Sequence, residues 1–239
     1  MKLFIHVGLP KTGTTFLQQE VFPKIENVNF AMFPDFRTTL YPDKINIIGD
    51  EFLSYVSYMP DLDATQRFEV AKRLQGSYPD AKIIVGIRDK KSWLRSLYNQ
   101  YVRAGGVHEY DYWFENVFNK DFLDTESYIN FLKKSFKKGV YVYNFEDMKK
   151  NYSLWINDLC DFIGCDVPKT ERKKHNVSWG KNRIKIALFF NKFFKSPTNP
   201  NKGFITWREW HSPRKILDTL WLLAPKRKPS KKNKTTKSN

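Results

Sequence analysis

Short apolar runs alternate along the chain with longer segments in which apolar residues recur every three or four positions. The runs are rich in Val, Ile and aromatic residues, which is typical of strands, whereas the longer segments have the spacing of helices that bury one face. Four strands are predicted, at residues 2–7, 45–49, 81–87 and 140–145. The third run is continuously apolar, which indicates a strand covered on both faces of its sheet.

Five helices are predicted between and after these strands, at residues 14–22, 61–78, 90–104, 124–138 and 146–163. Pro23 is placed to end the first helix, and Gly139 and Gly164 are placed to cap the last two. Strands that alternate with helices of this length predict an α/β fold, in which helices cover both faces of a central parallel sheet.

The alternation of strands and helices ends near Pro168. We expect one domain over residues 1–225, with an α/β core at 1–165 and a helical extension at 166–225. Residues 226–239 contain seven Lys or Arg and no acidic residue. Because such a segment cannot bury apolar surface, it is predicted to be a disordered basic tail.

The whole chain of 239 residues carries 41 Lys and Arg against 25 Asp and Glu, a formal net charge of +16. This excess favours anionic ligands, membrane surfaces or nucleic acid. No apolar run approaches the length of a membrane span, and no apolar signal-peptide core follows Lys2. Two cysteines are too few for a disulfide framework or a Cys-based zinc site. We therefore expect a cytoplasmic globular protein.

The first candidate site is the loop at residues 8–15, Gly-Leu-Pro-Lys-Thr-Gly-Thr-Thr, between the first strand and the first helix. A Gly-rich turn at this place directs backbone N–H groups and the positive end of the helix toward one point, which is suited to an anion. In a nucleotide P-loop a Lys follows the second Gly. Here Thr14 occupies that position and Lys11 lies inside the loop, which argues against a nucleoside triphosphate as the ligand.

The second candidate site begins where the continuously apolar strand ends. Arg88 follows this strand directly, at the sheet edge where α/β proteins bind ligands, and its guanidinium can bind phosphate oxygens in pairs. Ser96 lies two turns into the next helix and can add a neutral hydrogen bond. Arg103 lies two turns further along the same face. The spacing is equally compatible with a ligand contact and with an ordinary surface position. Trp93 and Leu97 share another face and are expected in the core.

These two segments resemble motifs of sulfotransferases that use 3′-phosphoadenosine 5′-phosphosulfate (PAPS). Residues 6–17 are similar to the 5′-phosphosulfate loop of that family, and residues 87–98 to its 3′-phosphate motif, in which a Ser follows an Arg by eight positions. Residues 143–148, Tyr-Asn-Phe-Glu-Asp-Met, are similar to a later segment of the family, and 162–164 to its Phe-Leu-Gly. The resemblance covers residues 2–165 and implies a P-loop NTPase-like three-layer fold.

The resemblance implies PAPS as the donor and no metal ion. The residues that it implies for PAPS binding are Lys11, Thr12, Gly13, Thr14, Thr15, Arg88, Ser96, His175 and Asn176. Lys11 is also implied in catalysis, because it can neutralise charge on the departing phosphate. His175 and Asn176 are included because residues 173–180 are similar to a late loop of many bacterial sulfotransferases, although the sequence by itself shows only a basic loop there.

The general base in this family follows the strand after the first helix. Glu51 is the candidate, since residues 51–55 resemble the Glu-x-x-x-Tyr pattern of the carbohydrate-acting branch, and Asp50 is the alternative. A structural role for Glu51, as an acid at a helix start, remains open. The expected acceptor is accordingly a hydroxyl of a carbohydrate, either a polysaccharide or a glycolipid.

Two other functions remain open at this point, a P-loop kinase or other NTP enzyme, and a basic protein that binds membranes or nucleic acid without catalysis. The first lacks its Lys after Gly13, and the second leaves the two anion sites unexplained, so no specific nucleic acid is expected. Residues 184–194 and 205–223 are aromatic-rich with basic flanks. They are expected to pack in the core by default, with peripheral contact to an anionic membrane as the alternative.

Overall fold

The computed structural model describes residues 1–32, 38–54, 63–170, 179–196, 198–199 and 205–206. Its main sheet has five parallel strands in the order β2-β3-β1-β4-β5. They are β1 (Lys2–Val7), β2 (Val28–Met32), β3 (Ile45–Asp50), β4 (Lys82–Ile87) and β5 (Val140–Asn144). A small parallel pair, β6 (Phe194–Lys195) with β7 (Ile205–Thr206), lies apart from this sheet.

Helices connect the strands and cover both faces of the sheet. They are α1 (Thr14–Phe16), α2 (Gln66–Ser77), α3 (Lys90–Arg103), α4 (Tyr110–Asn116), α5 (Thr125–Ser135), α6 (Phe145–Lys150), α7 (Tyr152–Ile163) and α8 (Lys181–Asn191). Shorter turns complete the set. α1 continues as a π-helical turn (Leu17–Val21) and a 3₁₀ turn (Phe22–Lys24), and further 3₁₀ turns occur at Glu51–Ser54 and Lys120–Leu123. None of the described helices is long and apolar enough to cross a membrane.

The alternation of side chains along β1 divides the interior into two apolar layers. Leu3, Ile5 and Val7 pack with residues of α2, α3, α4, α5 and α8 on one face of the sheet. Phe4 packs with the π-helical turn and α7 on the other face. Burial of each such side chain contributes about 1.5–3 kcal/mol, so the central strand stabilises both layers at once. This confirms the predicted three-layer α/β fold.

The direction in which the chain adds strands to the sheet reverses between β1 and β4, and this reversal marks the location of the candidate site. From β1 the chain moves outward to β2 and returns through β3, and it then crosses to β4 and continues to β5 on the other side. Because all five strands are parallel, the loops after β1, β3 and β4 lie along one edge of the sheet. A reversal of this kind is where open α/β sheets bind ligands.

The structure corrects two predicted helices. The predicted helix 146–163 is two helices, because Asn151 interrupts it and its side chain accepts a hydrogen bond from the Leu154 N–H at the start of α7. The predicted helix 124–138 ends at Ser135, and Gly139 (φ 129°) lies instead in the turn before β5. Neither β2 nor α4 was predicted from the sequence.

Three other predictions have mixed outcomes. Pro23 does not end a helix before it but lies within the 3₁₀ turn that follows the π-helical turn. Gly164 caps α7 as predicted, with a left-handed φ of 77°. In the predicted extension, α8 is helical, whereas Trp207 and the basic tail lie outside the described residues.

Candidate active site

The loop between β1 and α1 turns sharply because two of its residues adopt left-handed backbone conformations. Gly13 (φ 96°) precedes α1, and Lys11 has a φ of 67°, which is uncommon for a residue with a side chain. Gly8 is required for a different reason. A Cβ on Gly8 would lie 2.2 Å from Cγ2 of Thr14, which is buried at the start of α1. The loop is therefore packed tightly against the helix that it precedes.

Helix α3 and Arg88, two residues before it, hold two carbonyl groups of this loop. The indole Nε1 of Trp93 donates to the Pro10 carbonyl at 2.8 Å, and Nη1 of Arg88 donates to the Lys11 carbonyl at 2.9 Å. Trp93 is buried, as predicted for a core residue. Because these carbonyl oxygens are bonded within the protein, less of their negative potential faces a ligand above the loop.

A third carbonyl of the loop, that of Leu9, accepts a hydrogen bond from a side chain of the loop itself. The hydroxyl of Thr12, which is fully buried, donates to the Leu9 carbonyl at 2.6 Å. The hydroxyl of Tyr143, on β5, lies under Thr12 and 3.5 Å from Nε2 of His6, on β1. A Cβ on Gly86 would lie 2.4 Å from Cζ of Tyr143, so only glycine lets the tyrosine ring reach this position.

Burial determines the protonation states beneath the loop. It lowers the pKa of His6 to about 3 and raises the pKa of Tyr143, so both side chains are neutral at physiological pH. These neutral side chains add no charge under the loop. Neither residue was given a role from the sequence, since a histidine in a strand carries no signal of its partners.

One face of α3 joins the two candidate sites. Ser92, Ser96 and Gln100 follow one another at intervals of four residues and therefore share this face. Ser92 accepts a hydrogen bond from Nε of Arg88 at 2.9 Å, and Oε1 of Gln100 accepts one from Nζ of Lys11 at 3.1 Å. Ser96 lies between them and is buried. The structure thus brings Lys11, Arg88 and the predicted Ser96 to one surface.

The guanidinium of Arg88 is fixed by several groups. Its Nε lies 3.6 Å from Oε1 of Glu146, and its Cζ lies 4.5 Å from the ring centroid of Phe145. Glu146 in turn accepts hydrogen bonds from the Ser92 hydroxyl and from the Asp89 N–H. Burial lowers the pKa of Arg88, but an arginine remains charged at neutral pH. Within the described part of the chain, no group accepts a hydrogen bond from Nη2.

The two candidate bases, Asp50 and Glu51, lie beside the β1–α1 loop. Asp50, the last residue of β3, pairs with Val7, so Glu51 follows at the level where the loop begins. The side chain of Glu51 is outside the described part of the chain, whereas Asp50 is described and half-buried. The backbone therefore places Asp50 and Glu51 at the same edge of the sheet as the β1–α1 loop.

His175 and Asn176 lie outside the described residues. The chain is described again from Trp179, whose N–H donates to Oδ1 of Asn99 on α3 at 3.0 Å. The Trp179 ring lies between two guanidinium groups, with ring-centroid distances of 5.3 Å to Arg103 and 4.3 Å to Arg183. The chain after the predicted late loop is therefore anchored to the helix that carries Ser96.

One family model and two solved structures are similar to this chain. A family model described as "Sulfotransferase domain" matches residues 2–191. A sulfotransferase from Alicyclobacillus acidocaldarius has a similar structure, with a TM-score of 0.53 and 16% sequence identity over 80% of this chain and 91% of that one. A mouse sulfotransferase in complex with PAP matches with a TM-score of 0.44 and 20% identity, over 70% of this chain and 60% of its own. No curated protein matches the sequence significantly.

Proposed function

The chain belongs to the sulfotransferase domain family, and we propose that it transfers a sulfuryl group from PAPS to a hydroxyl of a carbohydrate acceptor. The other product is adenosine 3′,5′-bisphosphate. One observation carries the choice of donor. A single face of α3 connects Lys11, through Gln100, with Arg88, through Ser92. Two cationic sites at a fixed separation suit a nucleotide with phosphate groups at both its 5′ and 3′ positions.

The phosphosulfate end of PAPS is assigned to the loop after β1. The carbonyl oxygens of residues 9–11 are all bonded within the protein, which leaves the loop favourable for an anion. Thr12, Gly13, Thr14 and Thr15 contribute the end of the loop and the start of α1. Lys11 supplies the positive charge, and its ammonium group is held beside α3 by Gln100.

The 3′-phosphate of PAPS is assigned to Arg88 and Ser96. Arg88 has its Nε and Nη1 engaged with Ser92 and Lys11, which fixes the plane of the guanidinium and directs Nη2 elsewhere. A fixed, charged donor of this type binds phosphate more strongly than a mobile one. Ser96, four residues after Ser92 on the same face, adds a neutral hydroxyl. His175 and Asn176 are kept as further contacts.

The chemical step requires little beyond positioning and charge stabilisation. The acceptor oxygen attacks sulfur as the bond between sulfur and the bridging oxygen of PAPS breaks, in line with the attack. Glu51, with Asp50 as the alternative, accepts the proton of the acceptor hydroxyl. Lys11 stabilises the negative charge that develops on the departing phosphate, and no metal ion is needed in this scheme.

A kinase is disfavoured by the same geometry. Thr14 occupies the position of the P-loop Lys, and it is buried against Gly8 at the start of α1. A Lys at that position reaches the β- and γ-phosphates of a nucleoside triphosphate. Here the positive charge is that of Lys11, which lies inside the loop and hydrogen-bonds Gln100 of α3. This position suits the phosphosulfate group, which is shorter than a triphosphate.

We also propose peripheral contact with an anionic membrane, through α8. Ala187 and Leu188 of this helix are buried, whereas Ile186, Phe189 and Phe190 are exposed. Residues 172–208 contain ten Lys or Arg and no acidic residue. Exposed aromatic side chains among lysines are typical of helices that lie in a membrane interface. A cytoplasmic enzyme with this face can reach a lipid-linked sugar.

Sulfate transfer itself tests the proposed function. Purified protein is incubated with PAPS labelled with ³⁵S and with a panel of oligosaccharides, phenols and simple alcohols. We expect label in the oligosaccharides and formation of adenosine 3′,5′-bisphosphate. Efficient labelling of phenols instead would contradict the acceptor class, and no transfer from PAPS to any acceptor would contradict the donor.

Lys11→Ala is expected to lower kcat by about 10²–10³-fold, the usual cost of removing one group that stabilises transition-state charge. The thermal unfolding midpoint should change little, because Lys11 lies in a partly exposed turn. Lys91→Ala, at an exposed position of α3, is the control. Turnover of Lys11→Ala equal to that of the wild type would exclude the proposed role.

Arg88→Ala is expected to weaken binding of adenosine 3′,5′-bisphosphate by about 10–150-fold, since a charge-assisted hydrogen bond contributes about 1.5–3 kcal/mol. Binding of AMP, which lacks the 3′-phosphate, should change much less. Ser96→Ala should show the same selectivity with a smaller loss. Isothermal titration calorimetry measures both ligands, and equal losses for the two would mean that Arg88 acts only by holding the loop.

Glu51→Gln is expected to keep the affinity for adenosine 3′,5′-bisphosphate and to lose transfer, because an amide retains the shape of the carboxylate but cannot accept the proton. Asp50→Asn is the matched comparison. If Asp50→Asn loses transfer while Glu51→Gln retains it, the base is Asp50, and full activity in both variants would contradict a carboxylate base at the end of β3.

Co-sedimentation with vesicles tests the membrane contact. The protein should bind vesicles that contain phosphatidylserine but not vesicles of phosphatidylcholine alone, and binding should weaken as salt is raised. The double variant Phe189→Ser/Phe190→Ser should bind less. The control is Tyr112→Ser, which removes an exposed aromatic side chain from α4. Equal binding of the double variant and the control would contradict contact through α8.

A further inference from the structure

The end of helix α7 places the two cysteines of the chain side by side. Gly164 adopts a left-handed conformation (φ 77°), and its N–H donates to the Cys160 carbonyl at 2.7 Å. The N–H of Cys165 donates to the same carbonyl at 3.1 Å. This is the arrangement in which the side chain three residues before the helix end contacts the one just beyond the glycine. Here both of these side chains are thiols.

The two thiols have different surroundings. Cys160 is buried and belongs to the apolar layer under α7, whereas Cys165 is partly exposed. The interaction between the two thiols lowers the pKa of Cys165, and the same interaction together with burial raises the pKa of Cys160. A partly exposed thiol with a lowered pKa and a second thiol beside it is the arrangement found in redox-sensitive cysteine pairs.

We propose that Cys160 and Cys165 are a reversible dithiol–disulfide pair, in which Cys165 reacts first and Cys160 completes the bond. The oxidant is a low-molecular-weight disulfide such as oxidised glutathione. The Cys165 thiolate attacks one of its sulfurs, forms a mixed disulfide and releases one glutathione thiolate. Cys160 then loses its proton to water and attacks the sulfur of Cys165, which releases the second glutathione thiolate. Two protein thiols are oxidised, and one oxidised glutathione is reduced.

The position of the pair predicts which properties change on oxidation. A Cβ on Gly164 would lie 3.7 Å from Nζ of Lys2, so the pair is near the amino end of β1. The β1–α1 loop follows the other end of this strand, roughly 20 Å away at about 3.3 Å per residue. Because the N–H groups of Gly164 and Cys165 already hold the chain against the Cys160 carbonyl, the disulfide should form without a large backbone movement. Oxidation should therefore cross-link the end of α7 to the residue that follows its glycine cap and leave the nucleotide site unchanged.

Intact-protein mass spectrometry after incubation with oxidised glutathione tests the pair. The wild-type protein should lose two hydrogen atoms and retain no glutathione. Cys160→Ser should retain one glutathione on Cys165, because no second thiol displaces it, whereas Cys165→Ser should react at least tenfold more slowly. Dithiothreitol should restore the starting masses. If Cys160→Ser does not fold, peptide mapping of the wild-type protein with iodoacetamide at short times should label Cys165 before Cys160.

Three results would overturn the proposal. They are a wild-type protein that keeps a glutathione adduct, a Cys165→Ser variant that reacts as fast as Cys160→Ser, and a wild-type protein that does not react. Calorimetry with adenosine 3′,5′-bisphosphate before and after oxidation completes the test. An unchanged affinity is expected, and a loss of more than tenfold would contradict the independence of the pair from the nucleotide site. The mass-spectrometric results do not depend on the proposed function, whereas the calorimetric comparison rests on it.

Discussion

The attachment of the β1–α1 loop to helix α3 is the interaction on which the rest of the site depends. Trp93 and Arg88 each bind a carbonyl of the loop, and Gln100 binds its lysine, so α3 and the short segment before it determine both the shape of the loop and the position of its charge. The same helix carries Ser92 and Ser96 on the face that meets Arg88. In the proposed function, α3 thus holds the sites for the 5′ and 3′ phosphate groups of the ligand in a fixed relative position.

A buried polar layer supports the loop from the sheet side. This layer consists of Thr12 in the loop, Tyr143 on β5 and His6 on β1, and all three side chains are neutral. Gly86 makes this possible, since any side chain there would occupy the place of the tyrosine ring. This layer adds no charge of its own, so the positive charge within the loop is that of Lys11, whose ammonium group hydrogen-bonds Gln100.

Local sequence was sufficient to predict the parts of the site that depend on chain geometry over a few residues. The loop, Arg88 after a buried strand and Ser96 on the next helix follow from glycine spacing and helical periodicity. The contacts of Lys11 with Gln100 and of Pro10 with Trp93 join residues 89 and 83 positions apart, which no local pattern shows. The edge strand β2 was missed because its side chains are only partly buried and do not alternate. Asn151 was not recognised as the break between α6 and α7, because a single capping residue does not disturb the helical spacing of the apolar residues around it.

The central claim is that the site recognises a nucleotide with phosphates at its 3′ and 5′ positions and needs no metal ion to do so. Equilibrium binding of adenosine 3′,5′-bisphosphate and of ATP, each measured with EDTA and again with Mg²⁺, tests this most directly. The account predicts tight binding of the bisphosphate that Mg²⁺ does not change, and much weaker binding of ATP under both conditions. Preference for ATP in the presence of Mg²⁺, or no binding of either nucleotide, would contradict it.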